Sequence, residues 1–242
     1  MQTAAVPGGV KAASAEGTEA IPEGTPASAV VTEAAEPAPD PDLSVGPDGV
    51  PRCRWADSTA DYRAYHDSEW GRPVHGEIAL FERISLEAFQ SGLSWLTVLR
   101  KRPAFRVAFA GFDPERIALF DDGDQARLLT DASIVRNRAK IWATVTNARA
   151  VLELREHGGL DALFWSFAQD RPRPRRLAEV PSSTPESREL ARRLRRYGFV
   201  FVGPTTAYAA MQACGLVDDH VVGCVGGVAV EVEPGSSAEA GT

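Results

Sequence analysis

Glu87 sits on the apolar side of a helical pattern, an arrangement that needs a chemical reason. Leu80, Phe81, Ile84, Ala88 and Phe89 recur at three- and four-residue steps, so Glu77 to Ser91 is predicted to be a helix with an apolar stripe. Glu87 lies along that stripe, one turn beyond Ile84. An ionised carboxylate facing a core is costly unless a positive or hydrogen-bonding group meets it. Arg83, one turn back, is the only basic residue within helical reach. The helix then meets Gly92, where the chain can turn sharply, and Trp95 follows. A carboxylate and an indole beside a glycine break suit a pocket for a flat, polar, cationic group. The competing expectation is that Glu87 caps a neighbouring element and Trp95 is ordinary core.

A second set of residues has metal-ligand spacing. Cys53 and His66 form Cys-x12-His near the start of the folded region, and His220 and Cys224 form His-x3-Cys near its end. The latter spacing lets two ligands on one turn converge on a single ion. Together the pairs would make a closed tetrahedral S2N2 set, the pattern of structural zinc, with no position left for a catalytic water. The alternative is that the two pairs never meet. Three cysteines without a secretory signal argue against a disulfide framework. Cys214, in an apolar stretch, is expected to be a buried small hydrophobe. His75 and His157 receive no role.

The elements that must position these groups are helical almost throughout. Helices are predicted over Thr59 to Ser68, and from Trp95 to Arg102 with Pro103 stopping or restarting the run. Asp113-Pro114 opens another, with Asp as the cap. Further helices are expected over Asp124 to Leu129, from about Ala139 to His157 before Gly158-Gly159, and over Leu160 to Phe167. Arg171 to Ser183 reads as a Pro/Arg/Ser linker, and Thr184-Pro185-Glu186 opens an Arg-rich helix ending at Gly198. Only Phe199 to Val202 has strand character, and one strand builds no sheet. The expected fold class is all-α, one domain over residues 50–228, its ends joined by a zinc snap should the two ligand pairs meet.

Composition sets the boundaries. Residues 1–49 contain no aromatic residue and one base, Lys11, so they are expected to be a disordered extension, as is the tail 229–242. The net charge of -7 is misleading, because eight acids precede residue 50 and the remainder carries 25 acids and 25 bases. With three acids in the tail, the domain is slightly basic, which permits a polyanionic partner. No signal peptide and no bilayer-spanning run is read, so a cytoplasmic location is expected.

Tyr65-His66-Asp67-Ser68-Glu69-Trp70-Gly71, Leu86-Glu87, Gln90-Ser91-Gly92-Leu93-Ser94-Trp95, Phe199 to Gly203, Met211 to Val217 and Asp219 to Cys224 resemble the bacterial DNA-3-methyladenine glycosylase I family. The likeness runs from about Arg52 to Cys224 in one register. It implies a helix-hairpin-helix glycosylase, a monomer with one structural zinc on Cys53, His66, His220 and Cys224. The implied activity is hydrolysis of the N-glycosidic bond of 3-methyladenine in alkylated double-stranded DNA, leaving an abasic site. On the matching positions, Glu87 and Tyr65 would hydrogen-bond the extruded base and Trp95 would stack on it. Trp55, Tyr62 and Trp70 would wall the pocket.

The chemistry suits these residue types. A base inside a duplex must be flipped out, which costs least for a damaged nucleotide. Methylation at N3 leaves the nucleoside cationic, and an anionic Glu87 with aromatic faces rewards that charge. Holding the cation too tightly would slow the reaction, so the site must favour the departing neutral base. No acidic residue lies between Asp131 and Glu153, where superfamily relatives carry a catalytic aspartate, so no general base is nominated. For DNA gripping, Leu93 is the candidate wedge, and Arg136, Arg138 and Lys140 supply charge around the hairpin. Ser133 and Ala139 stand where the hairpin usually has glycines, a departure from the usual phosphate geometry. Rival readings are a zinc-stapled damage sensor without activity, a glycosylase of broader alkylpurine range, or a zinc deaminase. The absence of Cys-x-x-Cys disfavours the last.

Overall fold

The structure, a computed structural model, describes residues 40–226. Most of the expected N-terminal extension and all of the expected tail lie outside them. Within them the fold is all-α with one small hairpin. Strand β1 (Leu43–Val45) pairs antiparallel with β2 (Pro51–Cys53), Leu43 opposite Cys53 and Val45 opposite Pro51. The ordered fold thus takes up residues 40–49, which their composition assigns to the extension. The reason is long-range. Buried Arg52 binds Asp48 and Asp67, each at 2.7 Å, so an acid counted with the extension partners a buried guanidinium.

Helix α1 (Ala60–Ser68) is capped by Thr59, whose hydroxyl accepts from the Tyr62 N–H. The centre of the fold is α2 (Glu77–Gln90). Its Leu80, Phe81, Ile84, Leu86 and Phe89 are fully buried, against α3 (Trp95–Ala108), α6 (Arg138–Leu154), α7 (Gly159–Trp165) and α9 (Pro204–Ala213). Burial on almost every side makes α2 a rigid mount for whatever it carries. Helices α4 (Pro114–Ala118) and α5 (Asp122–Thr130) pack on α6, and α8 (Pro185–Arg196) packs on α9.

Two expectations are corrected. Helix α3 runs through Pro103 without stopping. Pro103 lies on the exposed face, while Val98, Leu99, Phe105 and Ala108 are buried on either side of it and hold the two halves in line. Phe199 to Val202 is not a strand. The Val200 N–H donates to Asn147 Oδ1 at 2.8 Å and its carbonyl accepts from Asn147 Nδ2 at 3.1 Å. A side chain of α6 therefore takes the backbone groups that a neighbouring strand would have used.

The hairpin is formed by α5, the turn after Thr130, and α6. Asn137 caps α6 through the Lys140 N–H at 3.1 Å, and Ser133 is tied to Asp131 by its N–H at 2.8 Å. Ser133 and Ala139 are both exposed.

Candidate active site

Glu87 is 6% exposed and opens onto a cavity of about 620 Å³. Among the described residues no hydrogen bond or ion pair reaches its carboxylate. The contrast within α2 is instructive, because buried Glu82 is held by Arg106, whose Nη2 lies 2.7 Å from Glu82 Oε1. Arg83, the base within helical reach of Glu87, turns instead to Glu69 at 2.8 Å, which it shares with Arg102. Burial raises the Glu87 carboxyl to about 8, with Arg83 only partly opposing it. The protein surroundings of Glu87 therefore favour the neutral acid at neutral pH, where an ionised group was expected. A cation placed beside it would restore the charge.

The aromatic residues named from the sequence all line this cavity: Trp55, Tyr62, Tyr65, Trp70 and Trp95. Tyr65 and Trp95 stand with ring centroids 5.3 Å apart and tilted by 47°. Burial, then the charge of Glu87, pushes the Tyr65 hydroxyl well above its ordinary value, so it stays a donor. Tyr62 accepts from the Leu96 N–H at 3.0 Å, which ties α1 to the first turn of α3, just after Trp95. Trp55 meets Tyr62 edge-on at 5.8 Å and Trp70 at 5.0 Å. A buried carboxyl and several ring faces in one cavity suit a flat cation.

Sequence reasoning missed part of the lining. Gln90, one turn beyond Glu87, was within reach of the same helical argument. Leu177 and Val180 come from the stretch read as a linker, which folds over the cavity in a short 3-10 turn, Leu177–Glu179. Asp42 holds that turn through Arg176 at 2.6 Å. Gln212 and Asp219 line the far side, with Gln212 Nε2 donating to Asp219 at 2.8 Å.

Behind the aromatic wall lies the sulfur and imidazole cluster. Cys53, His66 and Cys224 are buried with ligand atoms within 4.8 Å of one another, an arrangement that could hold a metal ion. Hydrogen bonds from Cys53, then His66 and the Gly226 N–H, draw the Cys224 thiol well below its ordinary value, while Cys53 is pushed up. His220 falls outside that three-residue group, yet its ring lies 5.0 Å from that of His66. Its Nδ1 faces Asp218 Oδ1 at 2.7 Å, and its Nε2 is buried without a hydrogen-bond partner among the described residues. His66 Nδ1 faces Asp67 in the same way at 2.9 Å. Carboxylates on the outer nitrogens leave both inner nitrogens as lone-pair donors, which fits a metal. Trp55 packs on His66 at 5.3 Å and Trp70 on His220 at 4.5 Å, so the cluster backs the cavity wall.

The residues expected to meet DNA separate into two groups. Leu93 is 41% exposed beside Gly92, and Arg136 and Arg138 are exposed. A smaller cleft lined by Ser91, Gly92, Leu93, Thr205 and Thr206 shares Glu87, Gln90 and Ala209 with the main cavity, so a path leads from this face to Glu87. Lys140 does not belong with them. It is buried, and its ammonium donates to the carbonyls of Phe89 at 2.7 Å and Ser91 at 2.5 Å. It caps the C-terminus of α2, where positive charge is favourable, and spends two of its three donors on that cap.

Comparison with known proteins follows the same outline. A family model described as methyladenine glycosylase matches residues 55–226. DNA-3-methyladenine glycosylase 1 of Escherichia coli is 48% identical over 177 residues, covering 72% of this chain and 95% of its own. A crystal structure of 3-methyladenine DNA glycosylase I is matched with a TM-score of 0.69 at 47% identity, over 72% of this chain and 98% of that one. The Staphylococcus aureus 3-methyladenine DNA glycosylase I, solved for the structural basis of 3-methyladenine recognition, matches with a TM-score of 0.68 at 33% identity, over 72% and 95%. With its cavity, helices and sequence in agreement, the chain belongs to the methyladenine glycosylase family.

Proposed function

We propose that this chain is a monofunctional DNA glycosylase of base-excision repair, hydrolysing the N-glycosidic bond of 3-methyladenine in alkylated double-stranded DNA to leave an abasic site. The observation that carries the reading is a buried carboxyl group without a hydrogen-bond or ion-pair partner among the described residues, opening into a cavity walled by indole and phenol rings. Neutral adenine meets a neutral acid there and gains no charge attraction. The N3-methylated nucleoside brings a positive charge that draws the proton off Glu87, at a cost near neutral pH of about 1.4 kcal/mol for a group titrating one unit above. A charge-assisted hydrogen bond and cation–π contacts with Trp95 and Tyr65 exceed that cost. Glu87 and the Tyr65 hydroxyl act on the extruded base, and Trp95 stacks on it. As the bond breaks, hydrogen bonds to the ring nitrogens and exocyclic amine hold the departing neutral base.

Zinc is the proposed metal, held by Cys53, His66, Cys224 and, as fourth ligand, His220. Thiolate and imidazole donors in a closed set suit it, and its chemistry there is structural. It would join β2 and α1, which carry Cys53 and His66, to the chain after α9 and keep Trp55 and Trp70 in place. On the DNA side, Leu93 fills the gap left by the flipped nucleotide, and Arg136 and Arg138 meet phosphates. The protein acts as a monomer, with the cytoplasm as the proposed location. Among the described residues, no helix is long and apolar enough to cross a membrane.

The test is to incubate the protein with dimethyl-sulfate-treated duplex DNA and chromatograph the released bases. Free 3-methyladenine is expected from the wild type, and loss of most of it from Glu87→Ala folded with its metal bound. Unchanged release by that variant contradicts the role of Glu87. No release by the wild type contradicts the activity.

A further inference from the structure

Phe201 is held in a conformation that its own burial does not explain. Its φ of +60° lies in the left-handed region, which a bulky side chain seldom adopts without compensation. Phe112, at φ +58°, is fully buried in the aromatic core, and that packing offsets its strain. Phe201 is 43% exposed, so the fold gains little from presenting it. The segment is nevertheless fixed. Buried Asn147 on α6 binds both backbone groups of the preceding Val200, which is itself 41% exposed.

The position of the ring gives the strain a purpose. Lys140 Nζ lies 5.9 Å from the Phe201 ring centroid and 2.5 Å from the Ser91 carbonyl oxygen. Phe201 and the Ser91-Gly92-Leu93 turn therefore meet at one lysine, the ring by a cation–π contact and the turn by a hydrogen bond. Two exposed apolar side chains, Leu93 and Phe201, project beside the N-terminus of α6, where Arg136 and Arg138 are exposed. Gly203, two residues after Phe201, caps α9, whose Thr205 and Thr206 line the cleft leading to Glu87. Exposed Leu93 in the lining of that cleft, exposed Phe201 two residues before the cap of α9, and exposed arginines at the start of α6 match a nucleic acid whose stacked bases have been opened and whose backbone is anionic.

We infer that Phe201 is a second DNA-contacting wedge, which packs against the opened base step beside the one Leu93 fills, with Lys140 setting the spacing between the two. This rests on the glycosylase reading for its partner, duplex DNA with one nucleotide extruded. Phe201 does not line the base cavity, so its contribution is to holding the distorted duplex and not to the base itself.

The experiment uses the full-length chain and the variants Phe201→Asn and Phe201→Gly, residues that accept a positive φ. Three quantities are measured: the thermal unfolding midpoint, tryptophan quenching by free 3-methyladenine, and affinity for a duplex carrying a tetrahydrofuran abasic analogue. The expected result is an unfolding midpoint equal to or above that of the wild type, unchanged free-base binding, and duplex affinity lower by about ten- to a hundredfold, the range for losing a buried phenyl group. The kcat/KM for 3-methyladenine release should fall in parallel. Wild-type duplex affinity in both variants overturns the inference. So does a lowered midpoint with loss of free-base binding, because Phe201 then serves the fold. A wild type that releases no base defeats the enzymatic reading alone, and abasic-duplex affinity still decides the role of Phe201.

Discussion

Replacing Glu87 by glutamine is expected to stabilise the folded protein increasingly as pH rises, while removing selective base release. Burial raises this carboxyl from its ordinary 4.5 to about 8. Across that window the folded chain keeps a proton that the unfolded chain has given up. Stability is therefore fully present below about 4.5 and is lost as pH rises through 8, at about 1.4 kcal/mol per pH unit. From about pH 5.5 to pH 8 the loss is on the order of 3 kcal/mol. For a fold of this size, that corresponds to roughly 6–12 °C in unfolding temperature.

The measurement is thermal or urea unfolding of the wild type and Glu87→Gln over that pH range. The sulfur and imidazole cluster is the same in both proteins, so its contribution cancels in the difference. The variant's advantage should grow with pH and level off above 8. Glu82→Gln supplies the contrast: it weakens a bidentate pair with Arg106 and is expected to destabilise. A wild-type-to-Glu87→Gln gap that stays constant with pH would refute the reasoning, because Glu87 would then be ionised in the empty cavity. In the activity arm, release of 3-methyladenine by the wild type should strengthen toward pH 8, as ionising Glu87 ceases to cost anything. The glutamine variant should show a weak, flat profile.

Four further outcomes are expected. Chelation should lower the unfolding midpoint, with zinc but not magnesium restoring it and atomic absorption reading one zinc per chain; a midpoint indifferent to chelation contradicts the metal cluster. Gly226→Ala should lose zinc without removing a ligand, since an added Cβ would lie 2.4 Å from His220 Nε2. Lys140→Met should cost about 1–3 kcal/mol in urea unfolding by leaving the carbonyls of Phe89 and Ser91 without their donor. Arg136→Ala and Arg138→Ala should leave stability unchanged and reduce the salt dependence of duplex binding by about one phosphate contact each; equal salt slopes in variant and wild type contradict that role.

What was legible in the sequence was what a single element or a short spacing decides. The period of α2 put Glu87 among apolar residues, and there the structure has it. His-x3-Cys and Cys-x12-His each suggest half a site, and the fold brings Cys53, His66 and Cys224 together with His220 beside them. Lys140 shows where such reading stops. In the chain it is one more cation beside Arg136 and Arg138, but its carbonyl partners lie about fifty residues earlier, and only the packing of α6 on α2 turns it inward. Arg83 fails in the opposite direction. Helical spacing offers it to Glu87, yet Glu69, fourteen residues away, takes it. The two errors have a common physical source. Long cationic side chains are flexible enough that the nearest anion or carbonyl in space, not in sequence, decides their direction. Because Arg83 turns to Glu69, Glu87 keeps no ion pair among the described residues, and a base that arrives with a charge of its own can supply one.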